Sequence, residues 1–232
     1  MNSSDATITS DINVSRAARL DTTSLSDALD RLGIAGQCLD IKPLEWTFHL
    51  TGRAYTILYG PSATPSGTVG DYIDEVVPGS VIVLDNGGRA NATVWGDILT
   101  SVAARRGIAG TVIDGACRDT RLARELGYPI FSRSYSMRTG KDRVQVEGLN
   151  VVVNIGEARV CPGDIVRGDA DGVLVIPRAH EDAVLAAAEE IDGIEQRIRD
   201  AVKAGRTLAE ARRELGYHQL QTRRQESGIT DT

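Results

Sequence analysis

The sequence is poor in aromatic, cysteine and lysine residues. Aromatic side chains make up 4% of the chain and hydrophobic ones 41%, so a core must be built mainly from Val, Ile, Leu and Ala. The three cysteines, Cys38, Cys117 and Cys161, are too few and too scattered for a disulfide framework or a paired-cysteine zinc site. This cysteine usage favours a reducing, intracellular setting.

Long apolar runs are also missing. No stretch approaches the roughly 20 residues that a membrane-spanning helix needs, and Met1–Asp11 lacks a basic start followed by an apolar segment. The formal net charge of −6 argues against a nucleic-acid-binding surface as the main function. We therefore expect a cytoplasmic protein that binds no membrane and whose main partner is not a nucleic acid.

One stretch carries most of the chemistry, Trp95–Asp119, which reads WGDILTSVAARRGIAGTVIDGACRD. Apolar residues at spacings of three to four predict an amphipathic helix in its first half. The predicted buried face of that helix consists of Ile98, Leu99, Val102 and Ala103. Gly107 and Gly110 end the helix, and the β-branched run Thr111–Ile113 predicts a strand buried on both faces.

The polar end of this stretch combines three kinds of binding group. Free backbone N–H groups at the helix start, over Gly96–Leu99, attract an anion such as a carboxylate. Arg118 offers a planar guanidinium, and Asp119 offers a hard oxygen ligand for a cation. The corner therefore predicts a site for a carboxylate and a metal, whereas a cap or a surface ion pair is the alternative interpretation of the Arg-Asp pair.

The spacing of these groups resembles the RraA-like family. Twenty residues separate Asp97 from Arg118-Asp119, WG precedes the first acid, GxxG closes the helix, and DGxxRD follows the strand. A second similar segment is Val160–Pro177, in which PGD leads into a strand and GDADG turns the chain back. The resemblance extends from about Ser26 to Leu208. The family contains 4-hydroxy-4-methyl-2-oxoglutarate (and 4-carboxy-4-hydroxy-2-oxoadipate) aldolases and regulators of ribonuclease activity.

The resemblance implies an α/β fold, a layered β/β/α sandwich of the swivelling-domain-like type, assembled as a homotrimer or homohexamer. We expect a flexible N-terminal tail over 1–20, the α/β domain over 21–178, a C-terminal helical arm over 179–217 and a polar tail over 218–232. The arm starts with a predicted helix, His180–Ala204, whose apolar stripe needs a partner surface that oligomerisation would supply.

Local patterns predict further elements. Thr22–Leu32 should be a helix capped by Thr23 or Ser24 and ended by Gly33. Predicted strands include Thr51–Leu58, Ser80–Asp85, Val144–Val146, Val151–Ile155 and Val173–Ile176. The third and fourth of these strands should pair with each other as a hairpin or meander.

The resemblance also implies roles for particular residues. Asp119 would bind Mg²⁺ or Mn²⁺, Arg118 would stabilise a developing enolate oxygen, and backbone amides would receive the substrate carboxylate. Asp97, together with Glu195 reaching over from another subunit, would orient a metal-bound water that acts as acid or base. The implied substrate-binding residues are Gly96, Asp97, Ile98, Leu99 and Arg118. On its own, the pattern favours Glu195 as a residue at the edge of the apolar stripe that extends into water.

The scarcity of lysine supports metal chemistry independently. Cleaving a carbon–carbon bond next to a 2-oxo acid leaves a pyruvate enolate, which enzymes stabilise with a Schiff-base lysine or with a metal. The three lysines, Lys42, Lys141 and Lys203, lie in polar surroundings, whereas a Schiff-base lysine needs desolvation to lower its pKa. Cys117 lacks a nearby histidine to activate it, so we interpret it as a small packed residue.

The resemblance therefore implies a divalent-metal-dependent aldolase that cleaves a 4-hydroxy-2-oxo acid to pyruvate and a second oxo compound. Oxaloacetate decarboxylation passes through the same enolate and is expected as a second activity. A non-catalytic regulator that binds a ribonuclease and another 2-oxo or hydroxy acid lyase, such as a dehydratase, are the alternatives. The substrate stays open because Gly70-Asp71-Tyr72 replaces the family's Gly-Asp-Asn segment, and because Arg89 either meets a second substrate carboxylate or is an exposed loop residue.

Overall fold

The computed structural model describes residues 11–217 and Leu220, which form a mixed α/β fold. The helices are α1 (Ile12–Ala17), α2 (Thr22–Leu32), α3 (Asp97–Arg106), α4 (Thr120–Leu126), α5 (Glu181–Lys203) and α6 (Leu208–Glu214). Short 3₁₀ turns occupy Asp71–Glu75 and Arg178–His180. The strands are β1 (Gln37–Cys38), β2 (Lys42–Pro43), β3 (Leu50–Pro61), β4 (Val81–Thr93), β5 (Gly110–Cys117), β6 (Ile130–Tyr135), β7 (Val144–Leu149), β8 (Val153–Ile155), β9 (Ala158–Val160), β10 (Ile165–Asp169) and β11 (Gly172–Ile176).

Strand β3 joins a parallel and an antiparallel half of one large sheet. The strand order is β1-β11-β10-β3-β4-β5-β6-β2, and β7 also pairs with β3. Strands β3 to β6 run parallel to one another, whereas β10 and β11 pair antiparallel. Because the carboxyl ends of parallel strands meet at one edge of a sheet, the residues that follow β4 and β5 come together there.

Apolar side chains form separate cores on the faces of this sheet. On one face, α3, α4 and the 3₁₀ turn at Asp71–Glu75 cover a core that includes Trp95, Ile113 and Tyr128. On the other face, the β8–β9 hairpin packs over Val112 and Phe131. Helices α1, α2 and α5 cover the antiparallel end. These layers of sheet and helix confirm the predicted α/β fold class.

The predicted long C-terminal helix is confirmed as α5, but its apolar stripe is covered by other parts of the same chain. Its first half packs on α1, α2 and the antiparallel strands. Its second half, at Ile194 and Ile198, packs on α6, which starts at a capping box between Thr207 and Glu210. The prediction that this stripe needs another subunit is therefore wrong, because α2 and α6 supply the partner surface.

The other local predictions are confirmed only in part. The bounds of α2 and its left-handed stop at Gly33 are as predicted, but the N-cap is Asp21, whose carboxylate accepts from the Ser24 amide. Strands β7 and β8 do not form a hairpin together, because β7 pairs with β3 and β8 pairs with β9. Register with a distant strand decides this pairing, and local sequence does not encode it.

The two predicted tails lie mostly outside the described residues. Residues 1–10, 218–219 and 221–232 are not described, so only part of each predicted tail has a structure. From Asp11 onward the chain forms α1, and the side-chain amide of Asn13 donates to the carboxylates of Glu181 and Asp182 on α5. The helix is thus held against the arm, and the segment boundaries stay predictions. Of the helices described, none is long and apolar enough to cross a membrane.

Candidate active site

Strand β5 delivers Arg118 and Asp119 to the carboxyl edge of the sheet. The strand is buried along its whole length and is longer than the predicted run, because Asp114 and Gly115 continue it to Cys117. The Arg118 amide then donates to the Trp95 carbonyl at 2.9 Å, which ties the end of β5 to the residue just before α3. Asp119 takes a left-handed conformation with φ 55° and starts α4.

Helix α3 begins beside this pair, with Gly96 as its N-cap residue. The Gly96 backbone is extended (φ −150°), so its conformation does not require glycine. The available space favours glycine, because a Cβ at this position would lie 2.8 Å from Asp119 Oδ2 and 3.3 Å from Arg118 Nε. Glycine thus allows the turn and the Arg-Asp pair to approach each other closely.

The Asp119 carboxylate keeps room to accept further ligands. Its Oδ2 lies 3.2 Å from Arg118 Nε and 3.4 Å from the Asp97 amide nitrogen, both at the long end for hydrogen bonds. The Arg118 and Asp119 side chains are 38% and 41% exposed. A carboxylate has about four acceptor positions, so a cation or a substrate group can still bind here.

The first turn of α3 offers fewer free N–H groups than predicted. Asp97 folds back on its own helix, and its Oδ1 accepts from the Ile98 amide at 2.8 Å. The Asp97 amide faces Asp119, and within the described part of the chain no acceptor pairs with the Leu99 amide. The Ile98 side chain is 74% exposed, so the predicted apolar face is wrong there; Thr100 is buried instead.

A cavity of about 470 Å³ opens over this turn. The predicted substrate-binding residues Gly96–Leu99 and Arg118 form one wall, and Asp119 lies just beside it. Further lining residues come from 69–71, 73–74 and 139–141. Both apolar and charged groups therefore line the cavity, which suits a small ligand with a carbon skeleton and polar groups.

Sequence reasoning missed Lys141 as a cavity residue. It lies in the loop after β6, which returns to β4 because the Thr93 amide and hydroxyl both donate to the Arg138 carbonyl. Gly140 then packs so closely on Thr93 that a Cβ there would lie 2.2 Å from its carbonyl oxygen. The close glycine contact is visible only in three dimensions, so no local signal marked this lysine.

Two other predicted residues are not brought to the cavity of this chain. Glu195 on α5 is half-buried, forms an ion pair with Arg199 at 3.4 Å and does not line the cavity. Its predicted role would need a second copy of the chain. Arg89 donates to the Asn86 carbonyl at 2.8 Å and so helps to hold the irregular middle of β4.

Cys117 is a packed residue, as expected. Its side chain is fully buried and its sulfur lies 3.6 Å from the Ser132 hydroxyl. Burial raises the pKa of the Cys117 thiol, which keeps it protonated and poorly nucleophilic.

The side chains at this corner could hold a hard divalent cation only with few protein ligands. In the part of the chain that the structure describes, no group of three or more His, Cys, Asp or Glu side chains could hold a metal. Mg²⁺ usually keeps several waters and takes one or two carboxylates together with substrate oxygens. Asp119, with its free acceptor positions and no side chain at Gly96 to crowd it, fits that kind of site.

The chain resembles known proteins in sequence. The family model RraA-like (Aldolase/RraA) matches residues 22–175. Protein DlpA of Legionella pneumophila is 41% identical over 201 residues, which cover 85% of this chain and 33% of DlpA, so the chain spans about a third of that protein. A Halalkalibacterium halodurans protein, provisionally named a 4-hydroxy-4-methyl-2-oxoglutarate aldolase, is 36% identical over 82% of this chain and 90% of its own length.

Solved structures agree with this similarity. An uncharacterized protein from Pseudomonas syringae pv. tomato superposes with a TM-score of 0.81 and 39% identity, over 87% of this chain and 96% of that one. Streptomyces coelicolor RraAS2, described as an unusual member of the RNase ES inhibitor RraA protein family, superposes with a TM-score of 0.75 and 28% identity, over 81% and 96%. On the family model and these relatives, the chain belongs to the RraA-like family.

Proposed function

We propose that the chain is a divalent-metal-dependent carbon–carbon lyase of the cytoplasm. It would act as a pyruvate-type aldolase that cleaves a 4-hydroxy-2-oxo acid to pyruvate and a second oxo compound, and it would also decarboxylate oxaloacetate. One observation carries the proposal: Asp119 Oδ2 lies 3.2 Å from Arg118 Nε and 3.4 Å from the Asp97 amide, at the rim of the cavity. A relative provisionally named an aldolase supports the reaction class.

The roles follow from charge. Asp119 would hold the cation, Mg²⁺ or Mn²⁺, which when bound supplies Lewis-acid polarisation of the substrate's 2-oxo group. Arg118 would stabilise the negative charge that develops on the 2-oxo oxygen as the bond breaks. The Leu99 amide would receive the substrate carboxylate, because the start of a helix favours negative charge and the Asp97 amide already donates to Asp119.

Proton transfer needs further groups. In aldol cleavage the 4-hydroxyl group loses its proton, the C3–C4 bond breaks, and the electron pair moves to the pyruvate enolate, which then takes a proton at C3. We assign the positioning of the water that relays these protons to Asp97 and to Glu195 from a second subunit. The proposal therefore includes a homotrimer or homohexamer with the site at a subunit interface.

Pyruvate release tests this function. Wild type is assayed with oxaloacetate and with 4-hydroxy-4-methyl-2-oxoglutarate, in Mg²⁺, in Mn²⁺ and in excess EDTA, beside Asp119→Ala. A matched control is Glu157→Ala, an exposed carboxylate in the turn between β8 and β9. We expect metal-dependent turnover that Glu157→Ala keeps and that both EDTA and Asp119→Ala abolish. Turnover that survives EDTA would contradict the metal-dependent mechanism.

A second candidate is favoured by one comparison. Streptomyces coelicolor RraAS2 is described as a member of a ribonuclease inhibitor family, and its fold matches this chain closely. If neither substrate is turned over with any metal, the chain would be a binding protein of that kind or a lyase, such as a dehydratase, for another 2-oxo or hydroxy acid. Metal-independent inhibition of a ribonuclease by the purified chain would select the binding protein.

A further inference from the structure

A chain of buried hydrogen bonds holds the first turn of α3 from beneath. Trp95 Nε1 donates to Thr100 Oγ1 at 2.9 Å, and Thr100 Oγ1 in turn lies 2.9 Å from the Gly96 carbonyl oxygen. The Thr100 amide also donates to that oxygen at 3.0 Å. Trp95 is 2% exposed and Thr100 is 1% exposed, so water does not compete for these bonds.

The direction of these bonds is fixed by chemistry. An indole N–H only donates, so the Thr100 hydroxyl must accept from Trp95. A hydroxyl has one proton, and this contact leaves that proton for the Gly96 carbonyl. The Gly96 oxygen thus accepts from the Thr100 hydroxyl and the Thr100 amide together, whereas an ordinary helix supplies only the amide.

Fixing this oxygen also fixes the amide on the other side of the same peptide unit. The Gly96–Asp97 peptide is planar and trans, so its C=O and N–H point in opposite directions. With the Gly96 oxygen held toward Thr100, the Asp97 N–H is turned toward Asp119 Oδ2, 3.4 Å away. A rotation of this peptide would aim the N–H elsewhere and would change the rim of the cavity.

Trp95 is itself held on two sides. Its indole is parallel to the ring of Tyr128, with centroids 6.1 Å apart and a 4° angle between planes, and the Tyr128 hydroxyl pairs with Thr111 Oγ1 at 2.8 Å. Its carbonyl accepts from the Arg118 amide at 2.9 Å. One tryptophan therefore links Arg118, through its backbone, to the α3 turn, through its side chain.

We propose that Thr100, held by Trp95, is a positioning residue that sets the direction of the Asp97 amide, thereby holds the Asp119 carboxylate at the rim of the cavity, and so sets the affinity for the substrate anion that binds there. The inference rests on the proposed function for the identity of that anion, but not for the geometry of the turn. Thr100 does not line the cavity, so it acts through the Asp97 amide, and its loss should weaken binding more than it slows the chemical step.

Three variants test this role. Thr100→Val keeps the shape of the side chain and removes the hydroxyl, and Thr100→Ser keeps the hydroxyl. Thr56→Val is the matched control, because it also removes the hydroxyl of a fully buried threonine, but this hydroxyl donates to the Val151 carbonyl and is not part of the hydrogen-bond chain to α3. With Mg²⁺ present, KM for the 2-oxo acid and the Kd for oxalate, a dianionic analogue of the enolate, are measured for each.

We expect Thr100→Val to raise KM and the oxalate Kd about tenfold, the effect of one lost buried hydrogen bond, with kcat little changed. Thr100→Ser should restore both values, and Thr56→Val should leave both unchanged while lowering the unfolding midpoint. Equal increases in KM for the two valine variants, or a fall in kcat alone for Thr100→Val, would overturn the proposal.

Amide NMR separates this inference from the proposed function. If wild type neither binds oxalate nor turns over a substrate, the function fails, but the turn can still be read from the ¹⁵N–¹H signals of Asp97 and Leu99 and the Trp95 indole. Thr100→Val should shift these signals and Thr56→Val should leave the two backbone amides in place. Unshifted amides in Thr100→Val would overturn the proposal whatever the enzyme does.

Discussion

Two arginine–aspartate pairs lie near the end of β5, and they are built in opposite ways. Asp114 is 6% exposed and both of its carboxylate oxygens are occupied: Oδ1 accepts from Arg133 Nε and Oδ2 accepts from the Gly156 amide at 2.8 Å. Asp119, five residues later, has a side chain that is 41% exposed. Among the residues that the structure describes, its Oδ2 has only the two long contacts to Arg118 and to the Asp97 amide.

The difference separates an acid that holds the fold from one that is available to a ligand. Asp85, beside Asp114 on the next strand, follows the first pattern, since it accepts from the Gly87 amide and from the Asn154 amide at 3.0 Å. Through these bonds the two buried acids hold the β8–β9 hairpin and the irregular middle of β4. A buried carboxylate needs such bonds to offset its desolvation. An exposed one does not, and Asp119 keeps its acceptor positions.

The largest effect is expected from Arg118→Gln. Loss of the guanidinium removes charge stabilisation that grows in the transition state, so kcat for pyruvate release should fall by about 10²- to 10³-fold. The free energy of unfolding should change by less than about 0.5 kcal/mol, because the Arg118–Asp119 pair is half exposed. Steady-state kinetics and urea denaturation check the two halves. A rise in KM with unchanged kcat would contradict the assigned role.

Asp114→Asn should show the reverse behaviour. Arg133 would lose its buried charge partner, and the free energy of unfolding should fall by about 3 kcal/mol, while turnover per folded molecule stays within about threefold. Urea denaturation measures the loss. The control is Asp40→Asn, since Asp40 pairs with the same Arg133 at 3.4 Å but is 83% exposed; it should cost less than about 0.5 kcal/mol. Equal losses would show that Asp114 holds no special position.

Local sequence patterns predict several of the helices and strands around these two pairs. The periodicity of α2 and α5 and the buried run in β5 follow from spacing alone, and the structure confirms them. The glycines that stop α2 and α3, Gly33 and Gly107, adopt the left-handed conformation that a stop signal requires. Local rules suffice where neighbours along the chain decide the conformation.

Contacts between distant segments were not predictable in the same way. Asp114 lies between Ile113 and Gly115, and Asp119 lies between Arg118 and Thr120, and these neighbours do not show which carboxylate is held by distant groups. Only the approach of Gly156 and Arg133 to Asp114 does so. The exposure of Ile98 has a similar cause, because the cavity opens on the side of α3 where periodicity places a core.

The two glycines at the ends of α3 give the finest test, because they are required for different reasons. Gly96→Ala fits the extended backbone (φ −150°, ψ −166°), so the unfolding free energy should hold or rise slightly. Its Cβ would lie 2.8 Å from Asp119 Oδ2 and displace the carboxylate, which should lower kcat/KM about tenfold.

Gly107→Ala is the control with the opposite expectation. A Cβ at Gly107 meets no described atom within 4 Å, but the backbone has φ 71°, a conformation that alanine rarely adopts. It should therefore cost about 1 kcal/mol of unfolding free energy and leave kcat/KM unchanged. If Gly96→Ala instead lost stability and kept its activity, the close approach at Gly96 would serve the fold, and Asp119 would belong with Asp114 among the structural acids.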